Sequence, residues 1–152
     1  MNLRTDRRSV IKTTGAMATL LSLGIVTPAQ AQAAGRAAFE AKSIEDALKA
    51  IGGTAAANDQ VQIVSPDIAE NGAVVPVGAI SKLPKTTDIY LMVEKNPTPL
   101  SASFTIPAGT EADVQTRLKM GQSTDVLAVV KADGKLFMAK KETKVTLGGC
   151  GG

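Results

Sequence analysis

Asp125-Val126-Leu127-Ala128-Val129-Val130-Lys131-Ala132-Asp133-Gly134-Lys135-Leu136-Phe137-Met138-Ala139-Lys140 is the stretch that decides the fold. Asp133-Gly134 stands between two strand-like runs. A two-residue hairpin needs positive φ at its turn, and an Asp-Gly pair supplies it. Val126–Val130 is apolar at every position, which predicts a strand buried on both faces and central in its sheet. Asp125–Ala132 and Lys135–Lys140 are therefore read as neighbouring antiparallel strands.

The same pattern extends outward. Val114, Thr116, Leu118 and Met120 alternate with Gln115, Arg117 and Lys119. Period two gives a strand one dry face and one wet face, so Val114–Met120 predicts a half-exposed strand. Further strands are expected over Gln60–Val64, Ala73–Ile80, Thr87–Glu94, Ala102–Ile106 and Thr143–Leu147. Asn71-Gly72 and Asn96-Pro97 mark turns. Pro76 inside a strand-like run predicts an edge or a bulge, because proline cannot donate to a ladder.

Ahead of the strands, Ala38–Ile51 predicts a helix. Ile44, Ala47, Leu48 and Ile51 fall on one stripe. Ser43 with Asp46 forms a capping pattern, so the strong part begins at Ser43. Gly52-Gly53 ends the helix. One helix followed by short strands predicts a mainly β chain, an antiparallel β-sandwich. No internal repeat or second domain is evident in residues 34–147.

Residues 1–33 read as an export signal, outside the fold. Arg4, Arg7, Arg8 and Lys12 precede an apolar run from Ala16 to Val26. Two overlapping A-x-A patterns end at Ala31 and Ala33, each a candidate cleavage site. The apolar run is shorter than the ~20 residues that span a bilayer. Arg7-Arg8-Ser9-Val10-Ile11-Lys12 resembles a twin-arginine signal, which predicts export of a folded chain to the periplasm. Of the chain's 17 Lys/Arg and 14 Asp/Glu, residues 1–33 hold four and one. The remaining thirteen of each balance. The basic pI belongs to the signal and implies neither nucleic-acid binding nor, after cleavage, a membrane partner.

The chemistry gathers at the other end. The chain has no histidine and one cysteine, and closes as Gly148-Gly149-Cys150-Gly151-Gly152. Without histidine, a Cys/His or Ser/His/Asp device is impossible. A lone cysteine is ordinarily a small buried hydrophobe, but the glycines flanking Cys150 offer nothing to bury it. Four glycines predict a mobile arm, residues 148–152, with a sterically open thiol at its tip. Ordering the arm costs about 1–2 kcal/mol per residue, so its binding should be weak and reversible. A free thiol has a pKa of about 8.5, so activation is expected from a partner enzyme. No cofactor or metal ligand set is evident, and one cysteine permits no internal disulfide.

Lys144-Val145-Thr146-Leu147-Gly148-Gly149-Cys150-Gly151-Gly152 resembles the carboxyl terminus of the SoxY family, sulfur-carrier subunits of periplasmic thiosulfate-oxidising systems. Pro66-Asp67-Ile68-Ala69-Glu70-Asn71-Gly72 with Val75-Pro76-Val77, Lys95-Asn96-Pro97-Thr98-Pro99, and Thr116-Arg117-Leu118 fit the same family. The resemblance implies an immunoglobulin-like sandwich that pairs with a second small β-protein, SoxZ, as a heterodimer. It implies that Cys150 carries sulfur intermediates covalently, with Gly148, Gly149, Gly151 and Gly152 as the swinging arm. It further implies transient contacts with a haem-bearing Sox enzyme that loads thiosulfate and a hydrolase that releases sulfate. In some organisms a sulfane dehydrogenase oxidises the remaining sulfur. The chain would be a carrier and catalyse nothing. Pro66–Val77 and Lys95–Pro99 are, by resemblance only, candidates to face SoxZ.

Two other classes compete. The first is a periplasmic interaction module cross-linked by an intermolecular disulfide at Cys150. The second is a ubiquitin-like sulfur carrier using Gly151-Gly152 as a thiocarboxylate. That chemistry needs adenylation, and export takes the chain away from ATP.

Overall fold

The computed structural model describes residues 35–146. The expected export signal (1–33) and the arm Gly148–Gly152 with Cys150 lie outside the described residues. Two short helices come first, α1 (residues 35–40) and α2 (Ile44–Ile51). Nine strands follow: β1 (Ala55–Ala57), β2 (Val61–Val64), β3 (Ile68–Ala69), β4 (Val75–Ser81), β5 (Thr86–Val93), β6 (Leu100–Thr105), β7 (Asp113–Leu118), β8 (Thr124–Ala132) and β9 (Lys135–Val145).

The expected single helix Ala38–Ile51 is broken at Ser43. Ser43 is extended (φ −134°, ψ 158°), and its side chain accepts a hydrogen bond from the Asp46 amide. A capping residue must leave helical geometry to do this, so the helix restarts there. At the other end Gly52 and Gly53 both donate to the Leu48 carbonyl, and Gly52 has φ 145°. The glycine pair is a cap, as read.

The strands form an immunoglobulin-like sandwich. The larger sheet runs β1-β9-β8-β5-β6, with β3 also on β9; the smaller runs β2-β4-β7. β8 is central, antiparallel to both β5 and β9. Its apolar run now has a cause. Val126, Ala128 and Val130 face the smaller sheet and pack with Val75, Val77, Ile89 and Leu91. Leu127 and Val129 face outward and pack with Ala38, Ala47, Ile51, Met92 and Leu136. The helices therefore cover the outer face of the larger sheet. An eight-residue helix is too short to persist alone. Its buried stripe holds it, at about 1.5–3 kcal/mol for each fully buried aliphatic side chain.

The hairpin at Asp133-Gly134 is formed as expected, with φ 49° and 75°. The strands expected at Lys135–Lys140 and Thr143–Leu147 are instead one eleven-residue strand, β9. Nothing between them breaks a ladder, and β8 pairs with β9 from Lys135 through to Thr143. Pro76 lies in β4, the middle strand of its sheet. However, β2 pairs only with Gly78–Ser81 of β4. At Pro76, β4 has β7 alone as its neighbour, which is the situation that tolerates proline. β1 and β3 have no counterpart among the expected strands. Both lie parallel to β9 on the edge away from β8, one at each end.

Candidate functional site: the base of the arm

β9 ends at Val145, three positions before the expected arm at residues 148–152, so its end is the described structure nearest to that arm. On one edge, β3 pairs Ile68 with Lys144 and Ala69 with Val145. Lys144 donates to the Asp67 carbonyl at 2.9 Å, and Thr146 donates to the Ala69 carbonyl at 3.0 Å. On the other side, the Val145 amide donates to the Ser123 hydroxyl at 2.9 Å. Thr146, the last described residue, is therefore tied to the body by its own backbone.

The side chains of β9 add to this. Thr143 is fully buried, and its hydroxyl bonds to that of Ser65 at 3.2 Å. The Lys141 ammonium donates to the Ser65 carbonyl at 2.6 Å and pairs with Asp67 at 3.0 Å. A partly screened lysine satisfied by a carbonyl and a carboxylate holds the Ser65–Asp67 segment against β9.

The turn after β3 closes over the end of the sandwich. Asn71 accepts from the Ala73 amide through its side chain at 2.9 Å. The Gly72 carbonyl accepts from Met120 at 2.7 Å. A Cβ at Gly72 would collide with the Met120 carbonyl oxygen and lie 2.8 Å from Val145 Cγ1. Only glycine lets the turn approach this closely. Opposite, Asn96 donates through its amide to the Lys119 carbonyl at 2.8 Å. The Lys95 amide donates to the buried Thr124 hydroxyl at 3.1 Å, and the Lys95 ammonium to the Ser123 carbonyl at 3.2 Å. These bonds position the loop that carries Ser123.

The stretches Pro66–Gly72, Val75–Val77, Lys95–Asn96 and Thr116–Leu118 thus come together at one end of the sandwich, around the end of β9. Ser65, Ser123, Lys141 and Thr143 belong to the same base. No sequence signal singles them out, because each acts through a partner 22 to 78 positions away.

Charge surrounds the base without dominating it. On the outer face, Lys140 bridges Asp125 at 2.7 Å and Glu94 at 3.4 Å. The hydrogen bond from Lys140 holds the Asp125 carboxyl below its ordinary pKa, and the same bond raises that of Lys140. Signs are mixed here, so this face makes no anion cradle. A cleft of about 580 Å³ lies at the opposite end, between Ser81–Thr86 and Pro107–Asp113. Among the described residues no cluster of His, Cys, Asp or Glu could hold a metal ion.

The model of the family "Sulfur oxidation protein SoxY" matches residues 47–150. No curated protein matches the chain. Among solved structures, the sulfur carrier protein SoxY from Chlorobium limicola f thiosulfatophilum is 36% identical with a TM-score of 0.64. The match covers 71% of this chain and 96% of that one. The superoxide reductase (neelaredoxin) from Ignicoccus hospitalis is 21% identical with a TM-score of 0.51, over 57% of this chain and 80% of that one. At that identity the likeness concerns the fold alone.

Proposed function

Because this chain belongs to the SoxY family, a family of carriers in sulfur oxidation rather than enzymes, we propose that Cys150 is the covalent attachment point. Thiosulfate joins the thiol through a new S–S bond, with loss of one proton and two electrons. The electrons pass to a haem-bearing partner enzyme. Water then cleaves the terminal S–S bond of the adduct, releasing sulfate and leaving a persulfide on Cys150. Gly148, Gly149, Gly151 and Gly152 keep the thiol free of steric cover, so that several enzymes accept the same tip.

The observation that carries this reading is the contrast at Thr146. Residues up to Thr146 are bonded to the body on both sides of β9, and the chain's sole cysteine lies four residues beyond. A fixed base with a short thiol arm suits presentation to partners. In this reading residues 1–33 direct export to the periplasm by the twin-arginine route, and the body pairs with SoxZ. Carriage of that partner across the membrane in the folded pair gives the twin-arginine route a purpose that needs no cofactor.

Intact mass of the periplasmic protein, before and after reductant, tests the proposal. Additions of sulfur or thiosulfate that reductant removes, absent from Cys150→Ser, are expected. A bare thiol or only a cross-linked dimer from thiosulfate-grown cells would instead favour an interaction module joined through Cys150. The same spectrum locates cleavage after Ala31 or Ala33.

A further inference from the structure

The edges of the two sheets differ in how they are guarded. β9 is covered by the short strands β1 and β3. β7 carries Asp113 and Arg117. β2 is four residues long and lies beside Lys140 and Lys141. Cover, charge and short length are ordinary guards against pairing with another chain. β6 is different. Among the described residues it has β5 alone as its neighbour, and no residue from Asn96 to Thr110 is charged. Its one guard is a bulge: Leu91 pairs with Ala102 and Met92 with Leu100, leaving Ser101 out of register. The regular open edge therefore runs from Ala102 to Ile106, with Phe104 at its midpoint.

Backbone direction fixes what this edge offers. The Ile106 amide donates to the Thr87 carbonyl of the β5 side at 2.7 Å. Bonding alternates along an antiparallel pair. Phe104 and Ala102 therefore also turn their main-chain groups to β5, and Ser103 and Thr105 turn theirs to the open edge, where both are exposed. Ala102 and Phe104 pack on the inner core, only partly buried. The segment complements itself. A two-fold axis at Phe104 sets Ser103 opposite Thr105 of a second copy, and Thr105 opposite Ser103. Each such pair exchanges both main-chain hydrogen bonds, and Ser–Thr pairs are favourable across strands. On the inner face Phe104 meets its own counterpart, an aromatic pair, and Ala102 meets Ile106. No charge opposes another.

We propose that β6 seats a second copy of this chain, antiparallel across a two-fold axis at Phe104, joining the two larger sheets into one. The proposal goes beyond the carrier reading and does not depend on it. The junction lies far from β9. Three strand spacings in each copy and one between them separate the two β9 strands by about 34 Å, at about 4.8 Å each. Cys150 lies four residues beyond Thr146, so each thiol reaches at most about 14 Å from that residue. The two thiols of one pair do not meet. The pair is therefore distinct from a dimer joined by a disulfide at Cys150.

The test is sedimentation of the full chain from the periplasm over a concentration series, with two double variants. Ser103→Lys with Thr105→Lys sets like charges opposite each other in both cross-strand pairs. Ser103→Lys with Thr105→Glu sets opposite charges there. The expected result is a wild-type dimer that forms with rising concentration and survives Cys150→Ser. Its Kd should rise about tenfold in the double-lysine variant, the scale of two unfavourable cross-strand pairs, and recover in the lysine–glutamate variant. The Ser103 and Thr105 amides should exchange hydrogen more slowly at high concentration than at low. This last reading needs no variant, so it decides the matter even if a substitution unfolds the chain. A wild-type monomer at every concentration overturns the proposal. So does a double-lysine dimer as tight as wild type, a lysine–glutamate variant that stays weak, or loss of the dimer in Cys150→Ser. The same series with the partner subunit added checks the occupant. A pair that dissolves while both amides stay protected assigns the edge to that subunit, and the proposal fails.

Discussion

The amide of Val145 donates to the Ser123 hydroxyl at 2.9 Å, and that hydroxyl lies 3.4 Å from the Val145 carbonyl, to which it donates in return. One serine thus occupies both backbone groups of the last residue of β9. Ser123→Ala removes both bonds and leaves the part-buried amide to water. A loss of about 1 kcal/mol is expected, the usual worth of such a bond. Urea unfolding would measure it, and hydrogen exchange should quicken at Val145 and Thr146. Unchanged protection at those two amides would mean that β3 alone holds the base.

Gly72 allows no side chain. Gly72→Ala drives a methyl group into the Met120 carbonyl and the Val145 side chain. Backbone cannot yield as a side-chain tip does, so a destabilisation of about 1–3 kcal/mol is expected. Gly121, where an added Cβ meets nothing within 4 Å, is the control. Equal denaturation midpoints for the two alanine variants would show slack at this end of the sandwich.

Tyr90 is the chain's single tyrosine, and there is no tryptophan. Burial, then the negative charge of Asp88, pushes its phenol up to about 12. Phenolate absorbance should therefore rise with a midpoint near 12 in the folded protein; a midpoint near 10 would contradict the packing described. The sign for stability follows. The unfolded phenol ionises near 10. Between that pH and the folded value the native state holds the extra proton, so stability falls as pH rises. Tyr90→Phe should flatten that alkaline limb.

Asp125 and Lys140 act at the two ends of the pH scale. The folded Asp125 pKa is lowered, so its contribution is present above the unfolded value of about 4 and fades as pH falls through the folded one. The folded Lys140 pKa is raised, so its contribution is present below about 10.4 and fades as pH rises through the folded value. The pair is solvent-exposed and screened by salt. Asp125→Asn should weaken the acid dependence of Tm at low salt, with little effect in 1 M salt. An acid limb identical to wild type at low salt would remove the pair from the account.

Cys150→Ser should leave Tm and partner binding unchanged and end carrier function. Bulky replacements at Gly149 and Gly151 should keep the thiol titratable while turnover falls. Normal thiosulfate oxidation in the bulky variant would remove the reason given for the glycines.

Local patterns carried much of the fold. Asp133-Gly134 turns the hairpin because positive φ at both residues is a property of that dipeptide in place. Val126–Val130 is central because no other position buries both faces of a strand. Ser43 shows a local signal at work: the apolar stripe starts only at Ile44, and the expected Ser43–Asp46 cap starts a separate helix there. Lys141-Glu142 shows the reverse, an expected gap that a long pairing partner closes.

The sequence by itself determined the sandwich class, the capped helix and the hairpin. Each depends on contacts a few residues apart, or on composition. Only the tertiary structure decided that Ala55–Ala57 and Ile68–Ala69 line β9 in parallel. It alone showed that Gly72, Ser65 and Ser123 meet at the base of the arm. Three alanines and two serines carry no periodic signal. Their place is set by pairing with residues far along the chain, and that pairing exists only once the sheets have closed on their shared core.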